Sequence, residues 1–122
     1  MIQIIGREVG EAFNKYYFIV VPLLGGLGGF LTGSNTGSNA MFMKLQTEVA
    51  TKVQIQANLT AYLQNASSSQ ATMANPARIS LGTSLCNAKN EEVARILRNM
   101  TLIVLGSIAL LWISSFLFLL SI

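Results

Sequence analysis

Residues 16–43 read YYFIVVPLLGGLGGFLTGSNTGSNAMFM, and none of them carries a charge. The part through Leu31 is apolar but short, and it contains Pro22, Gly25, Gly26, Gly28 and Gly29. Residues 32–39, TGSNTGSN, consist only of Thr, Ser, Asn and Gly. A single crossing helix would put that run at mid-membrane, where lipid offers no partner for irregular backbone. Two helical arms joined at 32–39 form a re-entrant hairpin instead. Arms of about 10–15 residues suit such an element better than a full span. Gly33 suits the left-handed position that ends the first arm, and Ser34, Asn35, Thr36 or Ser38 can cap the second. The hairpin is expected over residues 16–52, its outer arm turning amphipathic through Lys44, Glu48 and Lys52. Gly25 and Gly29 stand four apart, the spacing of a close helix-packing face.

Working outward, residues 100–122, MTLIVLGSIALLWISSFLFLLSI, are apolar on every face and long enough as a helix for a hydrocarbon core of about 30 Å. They predict a transmembrane helix. Residues 53–86 have Arg78 as their single charged side chain after Lys52, yet their centre is the polar run QNASSSQ. Serines following Asn favour capping and turn geometry. The expectation is a discontinuous transmembrane helix, broken at 65–69, with Pro76 in the first turns of its second half. Residues 87–99 carry Lys89, Glu91, Glu92, Arg95 and Arg98 and read as an aqueous loop ending in a short interfacial helix. Basic residues there favour the cytoplasmic side and send the C-terminus outward. Residues 1–15 read as an interfacial segment. The fold class is an all-α membrane protein.

Composition narrows the function. Of 122 residues, 52% are hydrophobic and 11% charged, against roughly 25% charged in soluble domains. The net charge of +3 comes from scattered basic residues, so no stripe supports nucleic-acid binding. There is no His and no Asp, and Cys86 is the single cysteine. That removes a His-based triad, a His/Cys metal site and a disulfide framework. No cofactor is expected, and no enzyme.

Discontinuous membrane helices make sites. Half-helix N-termini direct N–H groups at an anion, and half-helix C-termini and unwound carbonyls face a cation. The two expected breaks are polar and uncharged. Gly33, Ser34, Asn35, Thr36, Gly37, Ser38 and Asn39 at the first, with Asn65, Ser67 and Ser68 at the second, offer amides, hydroxyls and close backbone approach. Such chemistry fits a small carboxylate and a coupling cation. Arg78 is a candidate counter-ion to the carboxylate, with snorkelling at an interface as its plain alternative.

Residues 25–46, GGLGGFLTGSNTGSNAMFMKLQ, resemble the hairpin signature of the L-lactate permease family. Residues 64–83, QNASSSQATMANPARISLGT, are similar to that family's next element, with Asn75-Pro76 where Ser-Pro is usual. KNEEVAR, residues 89–95, resembles the loop before its last helix. The resemblance implies a multi-pass bacterial inner-membrane symporter of lactate and related 2-hydroxy monocarboxylates with protons. It also implies an inverted-repeat fold in which Ser34-Asn35-Thr36 sits at a hairpin tip. The family is several times longer, and the resemblance covers its C-terminal portion. The site would then need the N-terminal transporter half, or other copies of the chain, and surrounding lipid. An inactive remnant and a small membrane accessory protein are the alternative readings.

Overall fold

The computed structural model describes residues 16–120 together with Glu8 and Ala12, so all but those two residues of the expected interfacial segment at 1–15 lie outside the described residues. The described residues are helical, with no strand among them. Helix α1 is Tyr17–Thr32, α2 Asn35–Lys52, α3 Ala57–Ala71, α4 Pro76–Leu85 and α5 Asn90–Leu120. A 3₁₀ turn, Thr72–Ala74, joins α3 to α4.

Four glycines in one helix would each cost about 1 kcal/mol of helical propensity. Here they let neighbours approach. A side chain at Gly25 would collide with Ser67 and the Gln64 carbonyl of α3, and one at Gly29 with the Ser68 carbonyl. Gly28 faces Ser38 and Phe42 of α2, and Gly26 faces Ile108 of α5. The four-residue glycine spacing is therefore a packing face, as expected from the sequence. Gly25 against Ser67 and Gly29 against Ser68 set α1 parallel to α3, Gly26 against Ile108 and Ile19 against Trp112 set it antiparallel to α5, and the turn at Gly33 and Ser34 brings α2 back antiparallel.

Below the glycines the three short helices close on an apolar cluster of Tyr17, Phe18, Val21, Val49 and Leu63. A second cluster, Ala71, Ala74 and Val104, seats α5 on the 3₁₀ turn. Trp112 Nε1 donates to the Ile19 carbonyl at 2.5 Å, and the Phe18 and Phe118 rings stack with centroids 6.1 Å apart. Among the described residues α5 is the one helix long and apolar enough to cross a membrane, and 11% of its most apolar window is buried.

The first break is real but narrower than residues 32–39. It is confined to Gly33 and Ser34; Thr32 is the last residue of α1, and Asn35 to Asn39 open α2. The second is displaced. Asn65–Ser69 is unbroken α3, and the chain leaves helical geometry only at Thr72–Asn75. The reason is packing: Thr60, Leu63, Gln64, Ser67, Ser68 and Ala71 are buried at helical spacing. This stripe of small and polar side chains fits the glycine face of α1. α3 also starts at Ala57, after a turn in which Gln54 takes φ 59°. Residues 87–99 are helical from Asn90 onward, and that helix runs without interruption into the apolar stretch.

Candidate functional site

Gly33 ends α1 in the left-handed conformation, φ 62° and ψ 15°, and its N–H returns to the Gly29 carbonyl. Extended Ser34 then caps α2, its Oγ accepting from the Gly37 N–H at 3.1 Å. Thr32 Oγ1 donates to the carbonyls of Gly28 and Ser34, which steadies the turn. The Asn35 and Thr36 N–H groups at the tip have no acceptor within their own helix. The positive end of the α2 dipole lies there too.

Behind the tip, α2 and α3 meet along a seam of neutral amides. Asn35 Nδ2 and Asn39 Nδ2 both donate to Asn65 Oδ1, at 2.9 and 2.7 Å. Gln64 Nε2 donates to Ser38 Oγ at 3.2 Å and to Asn39 Oδ1 at 3.4 Å. Gln46 Nε2 in turn donates to Gln64 Oε1. Ser38, Gln46, Gln64, Ser67 and Ser68 are fully buried. Burying so many polar groups is tolerable because most of them bond one another. Among the described residues, four buried side-chain oxygens stay without a donor: Asn35 Oδ1, Gln46 Oε1, Ser68 Oγ and Gln70 Oε1.

The displaced second break reaches the first. Asn75 Nδ2 donates to the Phe30 carbonyl at 2.7 Å, and Asn75 Oδ1 accepts from the Arg78 N–H at 2.9 Å. One side chain thus ties the end of α1 to the start of α4. A Cβ built on Gly33 would lie 2.9 Å from Asn75 Cγ.

The structure therefore gathers Ser38, Asn35, Asn39 and Asn65 in the seam and places Gly33, Ser34 and Gly37 at the turn. Thr36 is exposed at the tip. Ser67 bonds back to the Leu63 and Gln64 carbonyls, which makes it a packing residue. Ser68 is buried beneath Gly29. Arg78 is exposed, and its guanidinium has no hydrogen bond or ion pair with the described residues. Gln46, Gln64 and Asn75 were not among the expected site residues. Their signal was positional, since Gln46 shares a helical face with Val49 and Ala50, and Gln64 with Thr60 and Ser67.

Helices joined through glycine, a seam of uncharged amides, and a long helix apolar on every side are together the construction of a helical membrane protein. Known proteins narrow the class. The model of the L-lactate permease family matches residues 1–121, and the chain belongs to that family. A curated protein of Haemophilus influenzae, provisionally named as an L-lactate permease, is 32% identical over 112 residues, which are 91% of this chain and 21% of the relative. The chain thus spans about a fifth of the length of the curated relative it matches, at 21%. No solved structure matches. The family is one of permeases, proteins of membrane transport, and not of enzymes.

Proposed function

We propose that this chain supplies one side of the substrate site of a lactate:proton symporter in a bacterial plasma membrane. In this reading α1 and α2 are a re-entrant hairpin, and α3 and α4 a transmembrane helix broken at Thr72–Asn75. α5 is a full span with its C-terminus outside. Facing elements of an inverted repeat come from the rest of the transporter or from further copies. The observation that carries the reading is the meeting of two helix breaks through Asn75, beside the amide cluster at the α2 N-terminus. Free N–H groups and the dipole there favour a carboxylate. The seam contains no titratable side chain, so the coupling proton is carried outside it.

Uptake of radiolabelled lactate by transport-deficient cells tests the proposal. The chain is produced together with the N-terminal part of its longer relative. The expected result is saturable uptake that Asn65→Leu lowers at least tenfold at equal protein in the membrane. Uptake at background with the pair, or uptake indifferent to Asn65, would overturn it.

A further inference from the structure

The glycines of α1 set out its neighbours. Gly26 turns to α5 and Gly28 to α2, with Gly25 and Gly29 between them against α3. At helical spacing this puts α2 and α5 on opposite flanks of α1. The flanks differ in chemistry. α5 has no charged residue after Arg98 and presents Leu105, Leu110, Ile113 and Leu117 outward. α2 presents Met41, Lys44, Thr51 and Lys52, with Glu48 partly covered. Lys44 Nζ lies 4.0 Å from Glu48 Oε1, and the Lys44 side chain is 84% exposed. The neighbours also fix the depth of these charges. Gly28 faces Phe42 of α2, and Val49 shares a cluster with Tyr17 and Phe18. On the other flank Gly26 faces Ile108, and Phe18 stacks on Phe118. Lys44 and Glu48, between Phe42 and Val49, are therefore level with the stretch of α5 from Ile108 to Phe118.

We propose that the outer face of α2, from Met41 through Lys44 and Glu48 to Thr51, is the wall of a water-filled passage that enters the membrane from the Lys52 end, while α5 faces lipid on the opposite flank. The proposal rests on the reading of α1 and α2 as a re-entrant hairpin. Lysine and glutamate at hydrocarbon depth do not face lipid; they turn to a bundle interior or to a water-filled cavity. Lys44 lies about two turns below the end of α2, farther than its four-carbon stem reaches toward the interface. Water, and not a covering protein, suits the face. Lys and Glu are depleted in protein interfaces. Lys44 and Glu48 already pair with each other, and the Thr47 and Thr51 hydroxyls donate to carbonyls of their own helix. Nothing on this face calls for a specific partner group.

Thiol labelling in membranes of the same co-producing cells tests this. Cys86 is the sole cysteine, so Cys86→Ser clears this chain of thiols. Single cysteines are then placed on α2 by Met41→Cys and Lys44→Cys, and on outward apolar positions by Leu27→Cys in α1 and Leu110→Cys in α5. A charged, membrane-impermeant methanethiosulfonate is applied to both faces of the membrane; it reacts with the thiolate, which forms where water reaches it. The α2 cysteines are expected to react at least about tenfold faster than the other two. Met41→Cys keeps the native charges, so it decides the matter if Lys44→Cys fails to reach the membrane. α2 cysteines as slow as Leu27→Cys and Leu110→Cys would mean that lipid or protein covers the face, and would overturn this proposal alone. Leu27→Cys as fast as Met41→Cys would put the hairpin outside the hydrocarbon, removing the re-entrant reading and this proposal with it.

Discussion

A methyl group added at Gly29 would enter the carbonyl of Ser68, a backbone atom that cannot swing aside. Gly29→Ala must therefore push α1 away from α3, and overpacking of this kind costs about 1–3 kcal/mol. Gly106 lies in α5 with nothing within 4 Å of the added carbon. Gly106→Ala should gain about 0.5–1 kcal/mol from helical propensity. Thermal unfolding in detergent checks the pair, with midpoints expected to move in opposite directions. Equal shifts would mean that the glycine face is not a contact. At this scale the sequence was legible wherever chemistry is local. Gly33 could be assigned to the end of the first helix, and the cap of the second narrowed to Ser34, Asn35, Thr36 or Ser38, because left-handed and capping preferences need no tertiary information. Gln46 and Gln64 could not, because their place depends on which helix each one faces. Arg78 drew attention by its charge, yet the structure engages its backbone N–H and not its guanidinium.

Among the elements, α3 shows why local preference misplaced the second break. Three serines cost roughly 0.5 kcal/mol each in a helix relative to alanine. Packing a small-residue stripe onto Gly25 and Gly29 outweighs that, and Ser67 satisfies its hydroxyl on the carbonyl four residues back. The actual break falls where Asn75 precedes Pro76, and a residue before proline is pushed out of helical geometry. Asn75 then does two things, capping α4 and holding the Phe30 carbonyl. Asn75→Ala is expected to cost about 0.5–2 kcal/mol for the cap alone. Hydrogen–deuterium exchange should show faster exchange at the first amides of α4, with the middle of α3 unchanged. Loss of protection throughout α3 would instead mean that Asn75 holds the whole packing together. The same balance explains α5, where the charged turns from Asn90 continue as helix because nothing between them and the apolar stretch interrupts it.

For the whole molecule, the seam is open on one side. Asn65 is exposed although its oxygen is fully engaged, and α5 presents Leu102, Ile103, Leu105, Leu110 and Ile113 outward. One such face contributes little affinity. A helix end is worth about 0.3–2 kcal/mol to an anion, whereas even millimolar affinity requires about 4 kcal/mol. The purified chain alone in liposomes is therefore expected to give no saturable lactate uptake. Saturable uptake abolished by Asn35→Ala would show that copies of the chain complete the site. The contact between α5 and α1 also makes the molecule self-reporting. Its sole tryptophan, Trp112, is hydrogen-bonded to a carbonyl of α1, and no other indole contributes to its fluorescence. Emission colour and lifetime will thus follow the separation of these two helices without any attached label. A partner or substrate that pries them apart would announce itself optically, in the unmodified protein, as the indole exchanges a backbone carbonyl for lipid or water.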